Sequence, residues 1–301
     1  MSFLFSEKWK KPDMKRILVP IQGFPAEVNA INLAFYLAEY SKAQITVLHC
    51  RERFSHSSEF WFKRLSGHVK SLSVLLQVPY NTEEIKRFRA SDAILKSSHE
   101  EECDLIILSA ARTPHYKHIF GSTARRVARK SKVPLLVIAS WLEDLAKHQE
   151  PVLRKILIPI RSTQQDLSAL RLAAALKKSS AAKKAELIAL NITLLPLVTS
   201  LTATDAPEIK VEQKRFMEDI TAFSERTGIK ITPKHVAARK LSEAAIDIAT
   251  KEQADLIILG THRKPSRFGG FLGRVSRKMA TESNAAVVMI FSGEPNETNL
   301  P

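Results

Sequence analysis

Short apolar runs alternate with longer amphipathic stretches along almost the whole chain. Lys15 to Ile21 predicts a first strand and Gln22 to Pro25 a turn. Ala26 to Lys42 predicts a helix with Ala30, Leu33, Ala34 and Leu37 on one face. Gln44 to Cys50 predicts a second strand. Ser57 to Val78 predicts a long helix, because Leu65, Val69, Leu72 and Leu76 recur at spacings of four, three and four. A weaker strand is expected around Glu84 to Ala90, then a helix from Ser91 to Glu101 with Ala93, Ile94 and Leu95 inward. A strand from Leu105 to Leu108, a helix from Ser122 to Ser131 and a strand from Val133 to Ala139 complete the series.

The same order then starts again. Strands are predicted at Arg154 to Ile160, Ala185 to Thr193, Ile229 to Ala237, Leu256 to Leu259 and Ala285 to Phe291. Helices are predicted at Asp166 to Lys177, Glu208 to Thr227, Ser242 to Gln253 and Arg274 to Ala280; Phe216, Ile220 and Phe223 mark the inner face of the long one. Asp104-Leu-Ile-Ile-Leu108 and Asp255-Leu-Ile-Ile-Leu259 are five consecutive identities, followed in register by Arg112 and Pro114 and by Arg263 and Pro265. The chain is an internal duplication.

Alternating strands and helices of these lengths imply an α/β fold of two repeated, open parallel sheets with helices on both faces. Ligands in such sheets sit at the carboxyl ends of the strands, where the strand order reverses. The expected layout is an arm at residues 1–14, a first domain at 15–140, a linker at 141–153, a second domain at 154–292 and a tail at 293–301. Phe3, Phe5 and Trp9 suggest that the arm docks on the body.

Composition adds limits. A chain of 301 residues with 45% hydrophobic and 26% charged residues suits two globular domains. It has no apolar run long enough for a membrane helix, and its N-terminal apolar stretch is too short for a secretion signal. Cys50 and Cys103 lack metal-ligand spacing and read as buried, reduced thiols of a cytoplasmic protein. The formal charge of +15, spread over both halves, has two readings: a solvated basic surface, or a field that draws nucleic acid or another polyanion. The basic stretch Arg125, Arg126, Arg129, Lys130 and Lys132 carries the same pair of readings. No nucleic-acid motif accompanies it.

Each half resembles a universal stress protein domain, and the chain resembles a tandem of two. The resemblance rests on "KRILVPI" and "KILIPI", the twice-used "DLIIL", the glycine-dotted loops, and the closing "VPLLVI" and "AAVVMI". It implies a Rossmann-like, adenine-nucleotide-alpha-hydrolase-like fold with a five-stranded parallel sheet in each half. It also implies pairing of the final strands, so that the tandem forms an internal dimer; further dimerisation stays open. A role in stress adaptation is implied by the resemblance alone.

Some members of that family bind ATP through an Asp after the first strand and a Gly-x-x-Gly, nine-residue, Gly-Ser/Thr motif. The Asp position falls on Gln22 and on Arg161. In the second half the motif maps to Gly260, Arg263, nine intervening residues, Gly273 and Arg274. In the first half it maps to Ser109, Arg112, eight intervening residues, and Gly121 with Ser122 and Thr123 beside it. Arginine at both second-glycine positions obstructs close backbone approach to a phosphate, or replaces it with a guanidinium clamp. Gly121, Ser122 and Thr123 suit either a phosphate at a helix start or an ordinary helix cap, and Gly260 and Gly273 suit either a working loop or plain turns.

His115, His118 and His262 lie in the same loops without a nucleophile or metal partner in sequence, so no catalytic residue is assigned. The segments Arg51 to Ser58 and Leu194 to Pro207 follow the second strands, where lids would sit. The expectation is a non-catalytic binding or signalling protein with degenerate nucleotide sites, no resident cofactor, and a protein partner or small anionic ligand. An ATP-dependent switch using one half, and polyanion binding, stand as alternatives.

Overall fold

Two apolar hexapeptides, each followed by a helix, set the plan of both halves. A computed structural model describes residues 14–52, 59–87, 89–112, 121–141, 153–161, 164–195, 207–261 and 273–291. The first half runs β1 (Arg16–Ile21), α1 (Glu27–Ser41), β2 (Gln44–Glu52), α2 (Glu59–Leu76) and β3 (Tyr80–Arg87). It continues with α3 (Ala90–Glu100), β4 (Leu105–Arg112), α4 (Ser122–Lys130) and β5 (Leu135–Trp141). The second half repeats the series as β6 (Lys155–Ile160), α5 (Gln164–Lys177), β7 (Glu186–Leu194), α6 (Pro207–Thr227) and β8 (Ile231–Ala238). It closes with α7 (Leu241–Lys251), β9 (Leu256–Thr261), α8 (Arg274–Glu282) and β10 (Ala286–Phe291). Residues 1–13 of the expected arm, the centre of the linker and the tail lie outside the described residues; Met14 is buried in the core.

The strands form one ten-stranded sheet in the order β3-β2-β1-β4-β5-β10-β9-β6-β7-β8. Neighbours are parallel within each half. The exception is the centre, where β5 and β10 run antiparallel with Val137 opposite Met289 and Ile138 opposite Val288. The strand pairing implied by the resemblance is therefore present within one chain.

Both faces of the sheet are covered, which is why the central strands are apolar at every position rather than at alternate ones. Ile17, Val19, Ile45, Ile156 and Ile158 pack with Phe35, Leu65, Leu172 and Phe216, under α1, α2, α5 and α6. Leu18, Leu48, Ile106 and Ile257 pack on the opposite face with Ile94, Val127, Ala245 and Met279, under α3, α4, α7 and α8. Helix α1 is buried on most of its circumference because it touches the sheet, α2 and α5 together. Its buried Asn32 meets His68 Nε2 at 2.7 Å, and burial holds the His68 pKa below the usual imidazole value. The halves also meet where Glu39 accepts hydrogen bonds from the Ser180 N–H and Oγ, both at 2.9 Å.

The repeated Asp has a structural task at the amino ends of the strands in each half. One oxygen of Asp104 accepts the N–H groups of Lys15 (2.7 Å) and Arg16 (2.9 Å). One oxygen of Asp255 accepts those of Arg154 (2.7 Å) and Lys155 (2.9 Å). The Asp before each "LIIL" strand thus fixes the start of the adjoining first strand.

The third strand differs from expectation. It begins at Tyr80, ahead of the predicted Glu84, and pairs from Ile45↔Tyr80 to Glu52↔Arg87. Tyr80 to Glu84 is too polar to read as a strand, but β3 lies at the edge of the sheet, where Asn81, Thr82 and Glu84 stay exposed. Backbone pairing to β2 sets its start, not apolar alternation.

Candidate functional site

The sheet order places its reversal between β1 and β4 in one half and between β6 and β9 in the other. Crevices at the carboxyl ends of these strands are the expected ligand positions. Because β5 and β10 are antiparallel, the carboxyl ends that form the two crevices lie at opposite ends of the strands.

In the first half the loop after β1 folds around a carboxylate from its own chain. Glu27, in the first turn of α1, accepts the N–H groups of Gln22 (2.8 Å), Gly23 (3.0 Å) and Phe24 (3.1 Å). Gly23 takes φ 92°, a left-handed conformation in which glycine carries little strain. Three successive N–H groups converging on one point form an anion-binding concavity. Glu27 fills it and is 6% exposed. Burial pushes its carboxyl up to about 7, against the opposing pull of the three N–H groups. In the second half Asp166, also 6% exposed, accepts the N–H of Arg161 at 2.8 Å. Gln22 and Arg161, the two departures from the family's Asp, each give their N–H to an acid five residues later.

These two acids escaped the sequence reading. The available signal was an acid six residues after each first-strand end, at Glu27 and Asp166.

The walls beside the first strands differ between halves. His49, opposite Ile21, is buried and stacks on Phe62 with ring centroids 3.7 Å apart. Its counterpart Asn191, opposite Ile160, donates Nδ2 to the Ile160 carbonyl at 3.3 Å. Asn191 is 3% exposed, and its Oδ1 has no hydrogen-bond partner among the described residues. Farther out, Thr193 Oγ1 lies 2.9 Å from His235 Nε2 and donates to Glu212 at 3.2 Å. Burial lowers the His235 pKa, and the Glu212 charge opposes that shift.

The structure moves several expected loop residues. Gly260 is not a turn glycine: it lies inside β9, opposite Ile290, because the strand runs on to Thr261. Arg112 is the last residue of β4, in register with Trp141, rather than a loop residue; its side chain lies outside the described residues. Arg263, His115, His118 and His262 lie outside them too, as do residues 53–58 and 196–206 of the expected lids. Gly121 and Gly273 immediately precede α4 and α8, with φ −59° and −62°, and neither supplies a side-chain cap. Ser122 and Thr123 therefore do not cap α4: they are its first two residues, Ser122 exposed and Thr123 half-buried. A Cβ at Gly121 or Gly273 would meet nothing within 4 Å among the described residues. Both cysteines are buried thiols, and burial with the charges of Glu101 and Asp104 pushes the Cys103 thiol up to about 12.

No described helix is long and apolar enough to cross a membrane. Among the described residues no group of three or more His, Cys, Asp or Glu side chains is arranged to hold a metal.

Known proteins agree with this architecture. A universal stress protein from Archaeoglobus fulgidus is similar at 17% identity and a TM-score of 0.57, over 91% of this chain and 97% of that one. A protein of unknown function from Pseudomonas aeruginosa PAO1 is similar at 16% identity and a TM-score of 0.58, over 92% of each chain. The cytoplasmic domain of a prokaryotic cation chloride cotransporter is similar at 15% identity and a TM-score of 0.58, over 95% of this chain and 98% of that one. At these identities the likeness is one of fold. A comparison with curated proteins finds no match. The model of the universal stress protein family matches twice, at residues 14–139 and 153–290. With two such matches on one ten-stranded sheet, the chain belongs to the universal stress protein family as a tandem of two domains.

Proposed function

We propose that this chain is a non-catalytic binding or signalling protein of stress adaptation whose two nucleotide crevices are degenerate. The observation that carries the reading is the Glu27 carboxylate on the N–H groups of Gln22, Gly23 and Phe24. A loop whose N–H groups are already taken by a carboxyl of its own chain has none to offer a ligand. Asp166 acts on Arg161 in the second half in the same sense. With Gln22 and Arg161 in place of Asp, both halves also lack the side chain that the family resemblance assigns to the adenosine end.

A second reading is favoured by the other end of each crevice. Helices α4 and α8 are preceded by Gly121 and Gly273, which supply no side-chain cap, and first-turn N–H groups of this kind suit an anion. On this reading one half keeps a phosphate-bearing ligand, ATP among them. The polyanion reading draws less support, since Arg126 of the basic helix is tied to Asp92 at 3.2 Å.

Native mass spectrometry of gently purified protein, followed by analysis of released small molecules, tests the first reading. No nucleotide, and no heat on titration with ATP-Mg, is the expected result. One adenine nucleotide per chain, lost in Gly121→Asp or Gly273→Asp, would overturn it in favour of the second.

A further inference from the structure

Helices α2 and α6 hold the same place in the two halves, yet their outer faces differ in kind. On α6, Glu212, Glu218 and Glu225 are interspersed with Lys210, Lys214, Arg215 and Arg226, and Lys214 pairs with Glu218 at 3.9 Å. Val211 (68%) and Met217 (40%) are exposed on α6 too, but they lie among charges of both signs. On α2 no acid follows Glu59, while Lys63, Arg64 and Lys70 are all exposed. Large apolar side chains are exposed beside them: Phe60 at 65%, Val74 at 74% and Leu75 at 64%. Phe60 also meets Trp61 edge-on at 5.6 Å, and the Arg64 guanidinium lies 5.5 Å from the Trp61 ring centroid.

The order of these residues gives the face a shape. Phe60, Arg64, Gly67, Ser71 and Val74 recur at spacings of three and four, so they form one line down the helix. The line is about 21 Å long at 1.5 Å per residue. Its ends are bulky and its middle is flat, since a Cβ at Gly67 would meet nothing within 4 Å among the described residues. A glycine there costs the isolated helix about 1 kcal/mol relative to alanine.

We propose that the outer face of α2 docks an acidic amphipathic helix of a partner protein. The partner's apolar ridge lies along Phe60, Gly67, Ser71 and Val74, and its carboxylates meet Lys63, Arg64 and Lys70. Helix-on-helix packing of this type seats one helix's ridge along a row of positions spaced three and four apart. A second copy of this chain fits less well, because an antiparallel α2 pair centred on Gly67 brings Lys63 against Lys70 of the other copy. A lipid surface also fits less well, because the centre of the face offers Gly67 and Ser71 and no bulky group to insert. The proposal does not depend on what the crevices hold.

The test titrates the whole chain into two labelled helical peptides with leucine on one face, flanked by Glu in one and by Lys in the other, and reads fluorescence anisotropy. The Glu peptide is expected to bind saturably, at least about tenfold more tightly than the Lys peptide, and more weakly as salt rises. Val74→Glu with Leu75→Glu, both exposed positions, is expected to weaken it about tenfold at unchanged Tm. Lys63→Glu with Lys70→Glu is expected to reverse the peptide preference. Failure of the Glu peptide to saturate, or equal binding by the Val74→Glu/Leu75→Glu variant, would overturn the proposal. So would either of two transfers of the same mutational sensitivity: to phosphatidylserine–phosphatidylcholine vesicles in co-sedimentation, or to a concentration-dependent dimer in analytical ultracentrifugation.

Discussion

Asp255 holds the N–H of Arg154 at 2.7 Å across 101 residues of chain, and Asp104 holds that of Lys15 at the same distance across 89. Each Asp takes a second N–H on the same oxygen, from Lys155 and Arg16 respectively. Removing such an acceptor leaves two strand-start donors to water. Asp255→Ala is expected to destabilise the chain by about 2 kcal/mol, and Asp255→Asn, which keeps one neutral acceptor, by about half as much. Urea midpoints at constant m-value read the difference. A change below about 0.5 kcal/mol in the alanine variant would remove this role.

Glu27 makes stability depend on pH. Its folded-state pKa of about 7 lies above the ordinary carboxyl value of 4.5, so between these limits the folded chain keeps a proton that the unfolded chain releases. The contribution is fully present below pH 4.5 and is lost as pH rises to about 7. Its size is on the order of 3 kcal/mol. Glu27→Gln is expected to flatten this part of the stability profile. An unchanged slope in the variant would assign the pH dependence elsewhere.

Cys103 is expected to resist alkylation. It is 6% exposed, and its thiol is held up at about 12 by burial and by the charges of Glu101 and Asp104. Labelling of the native chain at pH 8 should run at least about tenfold slower at Cys103 than at free cysteine, and at the ordinary rate after denaturation. Rapid native labelling identified by peptide mass would contradict this placement.

The seam between the halves should depend on its apolar strand pair far more than on its surface contact. Met289, fully buried opposite Val137, is expected to cost about 2–5 kcal/mol when changed to alanine. Glu39→Ala, which breaks the hydrogen bonds to Ser180, is expected to cost about 1 kcal/mol. Comparable losses in chemical denaturation would mean that the surface pair holds the halves together.

The strands and their repetition were legible because buried parallel strands carry their signal in every residue: "DLIIL" and "ILVPI" need no partner to be recognised. The long helices were legible from spacing. What escaped depends on neighbours far along the chain. The start of β3 at Tyr80 is set by pairing with β2. The strand positions of Gly260 and Arg112 follow from β10 and β5 carrying the ladder past the apolar run. The capture of the Gln22 N–H by Glu27 spans only five residues, yet it needs the loop conformation set by Gly23. A family template pointed to the Asp position itself, and the acid that does bond there sits five residues on, at the start of α1.

Joining two parallel sheets through antiparallel β5 and β10 also changes how the molecule meets its own copies. Two separate five-stranded sheets would each present two open borders, and fusion at the seam removes half of them, leaving only β3 and β8 outermost. An open border is a template for strand addition, the first step toward fibrous assembly. Both remaining borders are poor templates. Strand β3 exposes Asn81, Thr82 and Glu84, and β8 carries Pro233, which has no N–H to give an incoming strand, beside Lys234, paired with Glu252. The duplication thus confers resistance to polymerisation that neither half would have alone.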